Sequence, residues 1–136
     1  MVKSYPNAKG RRESGQFQTL PQACLKHENF ISLSPKAVKL FLDILMQYNG
    51  TNNGDLCAAF SIMRKRGWRS KDTLNKAIKE LLHYGWIIVT RRGGLYKTPN
   101  LYAITFQRID ECDGKLDIPP SNIAPGTWKN IPGEKT

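Results

Sequence analysis

Long apolar runs are missing from this sequence. No uninterrupted stretch approaches the roughly 20 residues that a membrane-spanning helix requires, so no membrane partner is expected. The N-terminus shows no apolar segment of the kind a secretion signal carries, and a cytoplasmic protein is expected. Cysteine is scarce: Cys24, Cys57 and Cys112 are odd in number and widely spaced, with no CxxC pair and no Cys/His cluster to hold zinc. Reduced thiols of an intracellular chain are the reading that fits. There are two histidines, His27 and His83, far apart in sequence. A nucleophile elbow, a P-loop and an HExxH pair are all lacking, so a non-enzymatic protein without cofactors is expected. Acid is the other shortage: 11 Asp and Glu stand against 21 Lys and Arg, a net charge of +10. That balance favours a polyanion as partner.

The positive charge is concentrated. Residues 1–106 carry net +11 and residues 107–136 net −1. Within the first part, residues 64–97 alone carry ten basic and two acidic side chains. At 136 residues the chain is expected to form one domain with a modest core. We divide it into a flexible basic N-terminal arm (1–16), a folded domain (17–108) and an extended C-terminal tail (109–136).

The first segments carry weak signals. "MVKSYPNAKGRRESGQ" is polar and aperiodic, and its Lys9, Arg11 and Arg12 are placed to follow a nucleic-acid groove or simply to be solvated. "FQTLPQACLKHENFISL" reads as extended or irregular chain, with a short strand expected at 30–33 and His27 as a solvated loop residue. A helix then starts sharply: Ser34 suits the N-cap and Pro35 the first helical position, where a missing N–H goes unnoticed. Val38, Phe41, Leu42, Leu45 and Tyr48 line one face, widened by Leu40 and Ile44, which puts this helix at the centre of the core. Asp43 falls within it and reads either as a buried acid or, the favoured expectation, as pointing outward between turns. "TNNGDLCAA" is a turn leading to a segment that reads equally as a short strand or an early helix.

The remaining elements are clearer. "FSIMRKRG" forms a short helix stopped by Gly67. Ser70 caps a longer helix over 71–84, whose Leu74, Ala77, Ile78, Leu81 and Leu82 recur with a period of 3.6. Gly85 stands where a left-handed terminating residue belongs. "WIIVT" and "LYAITF" are strands joined by the loop "RRGGLYKTPN".

This order is that of an α+β, mainly helical winged helix: three core helices and a β-hairpin wing, with the last helix presented to a DNA major groove. On that helix Lys71, Asn75 and Lys79 lie opposite the apolar stripe, flanked by Asp72, Thr73 and Lys76. The residues expected near bases or phosphates are Arg69, Ser70, Lys71, Thr73, Asn75 and Lys76. Asn75 is the candidate base reader, because a carboxamide bonds two edge atoms of adenine. Lys71, Lys76 and Lys79 suit phosphates, which give affinity without sequence information. Arg64, Lys65 and Arg66 end the preceding helix near the DNA backbone, and Arg91, Arg92 and Lys97 make a thin basic loop suited to a minor groove or a phosphate ridge. The bland reading of any one of these side chains is a solvated surface; their coincidence on three elements in winged-helix order favours double-stranded DNA as partner.

Two other uses of the fold compete. A winged helix is also a vehicle for protein contacts, and the tail "IPPSNIAPGTWKNIPGEK" carries Ile118, Ile123 and Trp128. These either pack on their own domain or a second copy, forming a homodimer, or dock on a protein partner; burial in one of these ways is expected because tryptophan exposes a large apolar surface. RNA binding by stacking needs exposed sheet aromatics, whereas Trp86, Tyr102 and Phe106 are expected to face the core. Asp110, Glu111, Asp113 and Asp117 lack the order of a calcium loop and read as a solvated tail.

Residues 17–110 resemble a group of proteobacterial helix-turn-helix proteins found near prophages and plasmids. The matching stretches are "YNGTNNGDLCAA", "RGWRSKDTL", "KELLHYGWI", "TRRGG" and "LYAITF", continuing through "IDECDGKLD" to "APGTW". "FISLSPKAVKLFLDIL" is similar to the N-terminal winged-helix domains of plasmid and phage replication initiators. The resemblance implies DNA binding and brings no catalytic signature with it; its choice among roles stays open. The function expected of the chain is that of a nucleoid-associated regulator of transcription or an accessory replication factor of a bacterial genome or mobile element.

Overall fold

The computed structural model describes residues 15–94 and 98–133. Most of the expected N-terminal arm, and Lys97 of the expected wing, lie outside the described residues. The elements run α1 (Gln22–Lys26), α2 (Glu28–Ile31), α3 (Pro35–Leu45), β1 (Leu56–Cys57), α4 (Phe60–Met63), α5 (Lys71–His83), β2 (Ile87–Arg91) and β3 (Leu101–Ile104). A 3-10 turn at Arg64–Arg66 continues α4. The fold is α+β, with the helices packed on a three-stranded antiparallel sheet of order β1-β3-β2.

The central helix starts as its sequence dictates. Ser34 accepts a hydrogen bond from the Ala37 N–H, and Pro35 follows it in the first turn. A second device comes from elsewhere in the chain: the Glu80 carboxylate of α5 accepts from the Ser34 N–H at 2.6 Å and from its hydroxyl at 2.8 Å. A negative charge thus sits at the positive end of α3 and fastens it to α5. The buried face of α3 is Ala37, Leu40, Phe41, Ile44 and Leu45, with Val38 and Tyr48 half-buried at its edges. Leu42 is half-exposed, against expectation. The apolar stripe is rotated away from it because α5, Trp86 and Phe30 occupy the opposite side of α3.

Residues 22–31 depart from the expected extended chain and short strand: they form α1 and α2. Each is little more than one turn, too short for a helical period to be visible in sequence. The gain comes from packing, with Phe30 set edge-on to both Phe41 and Trp86. His27 is also not a solvated loop residue. Its Nδ1 accepts from the Asn29 N–H, capping α2, and its ring stands edge-on to Trp128.

The segment after "TNNG" is a strand, β1, paired antiparallel with β3 so that Leu56 faces Tyr102. Asn53 supports this join. Its fully buried carboxamide accepts from the Ile104 N–H and donates to the carbonyls of Ile104 and Arg108.

The C-terminal segment is a strap fastened to its own domain. Trp128 is buried and stacks on Trp86, while the Asn29 carboxamide donates to the carbonyls of Trp128 and Asn130 at 2.8 Å. Ile118 is half-buried, but Ile123 is 79% exposed and takes no part. The acidic residues of this segment are not all simply solvated: Asp110 accepts from the Asn53 N–H, and Asp117 accepts from the Arg92 N–H while its own N–H donates to the Thr90 carbonyl.

Candidate nucleic-acid interface

The turn between α4 and α5 is built on three features. Gly67 terminates the 3-10 turn with φ +98°, Trp68 folds inward and is buried, and Ser70 accepts from the Thr73 N–H to cap α5. Leu74, Ala77 and Leu81 bury one face of α5, which turns the basic residues out. Arg64, Lys65, Arg66, Arg69, Ser70, Lys71, Asn75, Lys76, Lys79, Arg91 and Arg92 are all exposed, and Thr73 is half-buried.

The basic residues fall into distinct settings. Lys76 and Asp72 make an exposed ion pair on α5, with side chains 77% and 78% accessible. At such exposure the pair holds neither residue firmly. Lys71 and Asn75 instead flank a groove of about 200 Å³ between α5, the β1–α4 join and the base of the β2–β3 hairpin. Phe60, Leu74, Ile78 and Tyr102 give it apolar walls, Pro99 and Asn100 form its hairpin side, and the Lys71 ammonium lies 5.8 Å from the Phe60 ring centroid. The N-terminal half of α5 and the hairpin therefore share one side of the molecule. The hairpin's neck is closed by hydrogen bonds from the Gly93 N–H to the Asn100 side chain and from the Gly94 N–H to the Thr98 carbonyl.

A second cleft, of about 290 Å³, lies on the opposite flank of the α5 N-terminus. Lys36 and Lys39 of α3 line it together with Gly67, Trp68, Arg69, Ser70 and Thr73. Neither lysine carries a signal in the sequence; only the packing of α3 beside the turn brings them here.

Asp43 corrects a further expectation. Far from pointing outward, its side chain is 4% exposed and accepts from Lys39 Nζ at 2.8 Å, Arg66 Nε at 3.1 Å and Trp68 Nε1 at 2.8 Å. Burial by itself raises the pKa of a carboxyl group, but the hydrogen bonds from Lys39, Trp68 and Arg66 outweigh it and hold Asp43 below the ordinary carboxylate value. Arg66 is thus engaged through its Nε, and its side chain remains 45% exposed.

Comparison with protein-family models, with curated proteins and with solved structures found no match to this chain.

Proposed function

We propose that the chain is a winged-helix protein that binds double-stranded DNA without catalysing a reaction. In this reading it serves as a regulator of transcription or an accessory replication factor of a bacterial genome or mobile element. The observation that carries the proposal is the groove shared by Lys71 and Asn75 of α5 with Pro99 and Asn100 of the hairpin. In this reading the helix and the hairpin approach one duplex together, the helix toward a major groove and the hairpin, as a wing, toward the adjacent backbone.

Three further features support it. The path α4–turn–α5–β2–β3, with β1 closing the sheet against β3, is the order a winged helix takes. The described basic residues on these elements are exposed. The third, read from the sequence alone, is the resemblance to prophage- and plasmid-associated helix-turn-helix proteins.

The test is a salt titration of binding to duplex DNA. Neutralising roughly 5–8 phosphates gives a log–log slope of about −4 to −7 by counterion release. A slope near zero, or no binding at low salt, overturns the proposal. Selection of bound sequences from random duplexes then separates the roles: a palindromic site implies a homodimeric regulator, and tandem repeats favour an origin of replication.

A further inference from the structure

We propose that Asp43 is a positioning residue for a phosphate clamp, in which Lys36, Lys39, Arg66 and Arg69 hold one backbone phosphodiester of duplex DNA at the turn before α5. The inference rests on the DNA-binding reading and names a contact point within it.

A buried carboxylate is costly unless it is fully bonded, and this one is: three donors from α3 and the turn converge on it. Two of those donors are cations whose bonding capacity Asp43 does not exhaust. Lys39 Nζ gives one hydrogen to Asp43 and one to the Arg66 carbonyl at 2.7 Å, so a third remains. Arg66 spends Nε on Asp43, and its two terminal amino groups bond to nothing among the described residues. Both side chains are close to half exposed. Long basic side chains on a surface sample many rotamers, and ordering them opposes binding. Here that ordering is done beforehand by one acid placed behind the cations.

The same acid sets the turn. Its bond to the Trp68 indole fixes the residue between Gly67 and Arg69, and Lys39 lies 5.7 Å from the Trp68 ring centroid. Lys36, Lys39 and Arg69 then line a single cleft, and Arg66, outside that lining, is joined to Lys39 through its own carbonyl and through Asp43. The chemistry that fits is an anionic tetrahedral group approached by several N–H donors, as a duplex supplies along its backbone.

The test turns on a sign. Replacing Asp43 by Asn removes a negative charge near a surface that meets a polyanion, and by Coulomb attraction alone it strengthens binding. If Asp43 instead positions Lys39 and Arg66, Asp43→Asn weakens duplex affinity on the order of tenfold, the loss expected for one or two charge-assisted hydrogen bonds. The log–log salt slope becomes shallower by about 1. In a double-mutant cycle, adding Arg66→Ala to Asp43→Asn then costs little more. Arg66→Ala is also compared with Arg64→Ala, which removes a neighbouring exposed charge that Asp43 does not hold. The clamp predicts the larger loss for Arg66, and this comparison decides the matter if Asp43→Asn does not fold. Unchanged or tighter binding by folded Asp43→Asn, or equal losses for Arg66→Ala and Arg64→Ala, overturns the clamp while leaving DNA binding intact. Failure of the unsubstituted protein to bind duplex overturns the DNA-binding reading itself.

Discussion

Trp128 lies flat on Trp86, their ring centroids 5.4 Å apart and their planes 12° from parallel. Forty-two positions separate them in sequence, yet the stack joins the C-terminal strap to the centre of the core. Trp86 in turn touches Phe30 and Phe41 and donates its indole N–H to the Asn29 carbonyl. The strap is therefore part of the folded domain's stability, and its removal has a measurable cost.

Trp128→Ala lowers unfolding free energy by about 3–5 kcal/mol, the range for truncating a buried tryptophan. Urea denaturation measures it. Deleting residues 117–136 produces a loss at least as large, with a lower midpoint at every protein concentration. A midpoint that falls only at low concentration would show that the strap crosses to a second copy instead.

Gly85 faces the strap from the end of α5. Its φ of +78° suits glycine, and a Cβ there would overlap the Thr127 carbonyl. Gly85→Ala carries two costs in the full chain: about 1 kcal/mol of left-handed strain and the displacement of the strap. In the 117–136 deletion only the first cost remains. Smaller destabilisation by Gly85→Ala in the truncated protein than in the full chain, measured by thermal or urea unfolding, is the expected result.

Asp43 makes stability depend on acid. Its pKa is lower in the folded chain than the ordinary aspartate value of about 3.9, so the native state binds fewer protons than the unfolded one at the pH values between. Its contribution is fully present above about pH 5 and fades as pH falls through the folded value. The stability gap between the natural protein and Asp43→Asn is therefore widest near neutrality and narrows below about pH 4. Urea midpoints of both proteins across this range test it; a gap independent of pH contradicts it.

Asn75 and Lys79 differ in setting although both are exposed on α5. Asn75 flanks the groove facing the hairpin. Under the proposed DNA binding, Asn75→Ala is expected to reduce discrimination between a preferred site and random DNA by about 1–3 kcal/mol, through loss of a bidentate base contact. Lys79→Ala is expected to weaken both nearly equally, because phosphates carry no sequence. Identical effects of the two substitutions across a panel of duplexes would overturn this facing of α5.

Elements whose signals are local are legible in the sequence alone. Ser34 and Pro35 start α3, Ser70 starts α5, Gly67 and Gly85 stop their helices, and β-branched and aromatic residues mark β2 and β3, because caps, left-handed glycines and a 3.6-residue period act within a few positions. The sequence also determined which side of α5 is basic, since burying Leu74, Ala77 and Leu81 leaves the charges no other side. Tertiary structure alone decided the rest. The one-turn helices are held by burial, of Cys24 in α1 and of Phe30 against Phe41 and Trp86 in α2, and β1 owes its form to its partner β3. The inward turn of Asp43 needs Lys39, Arg66 and Trp68 to arrive from both sides, and a single helix pattern contains only the first of them. Lys36 and Lys39 join Arg69 for the same reason. A buried charge or a shared cleft is stabilised by groups distant in sequence, so its energy is fixed only when the chain has closed around it.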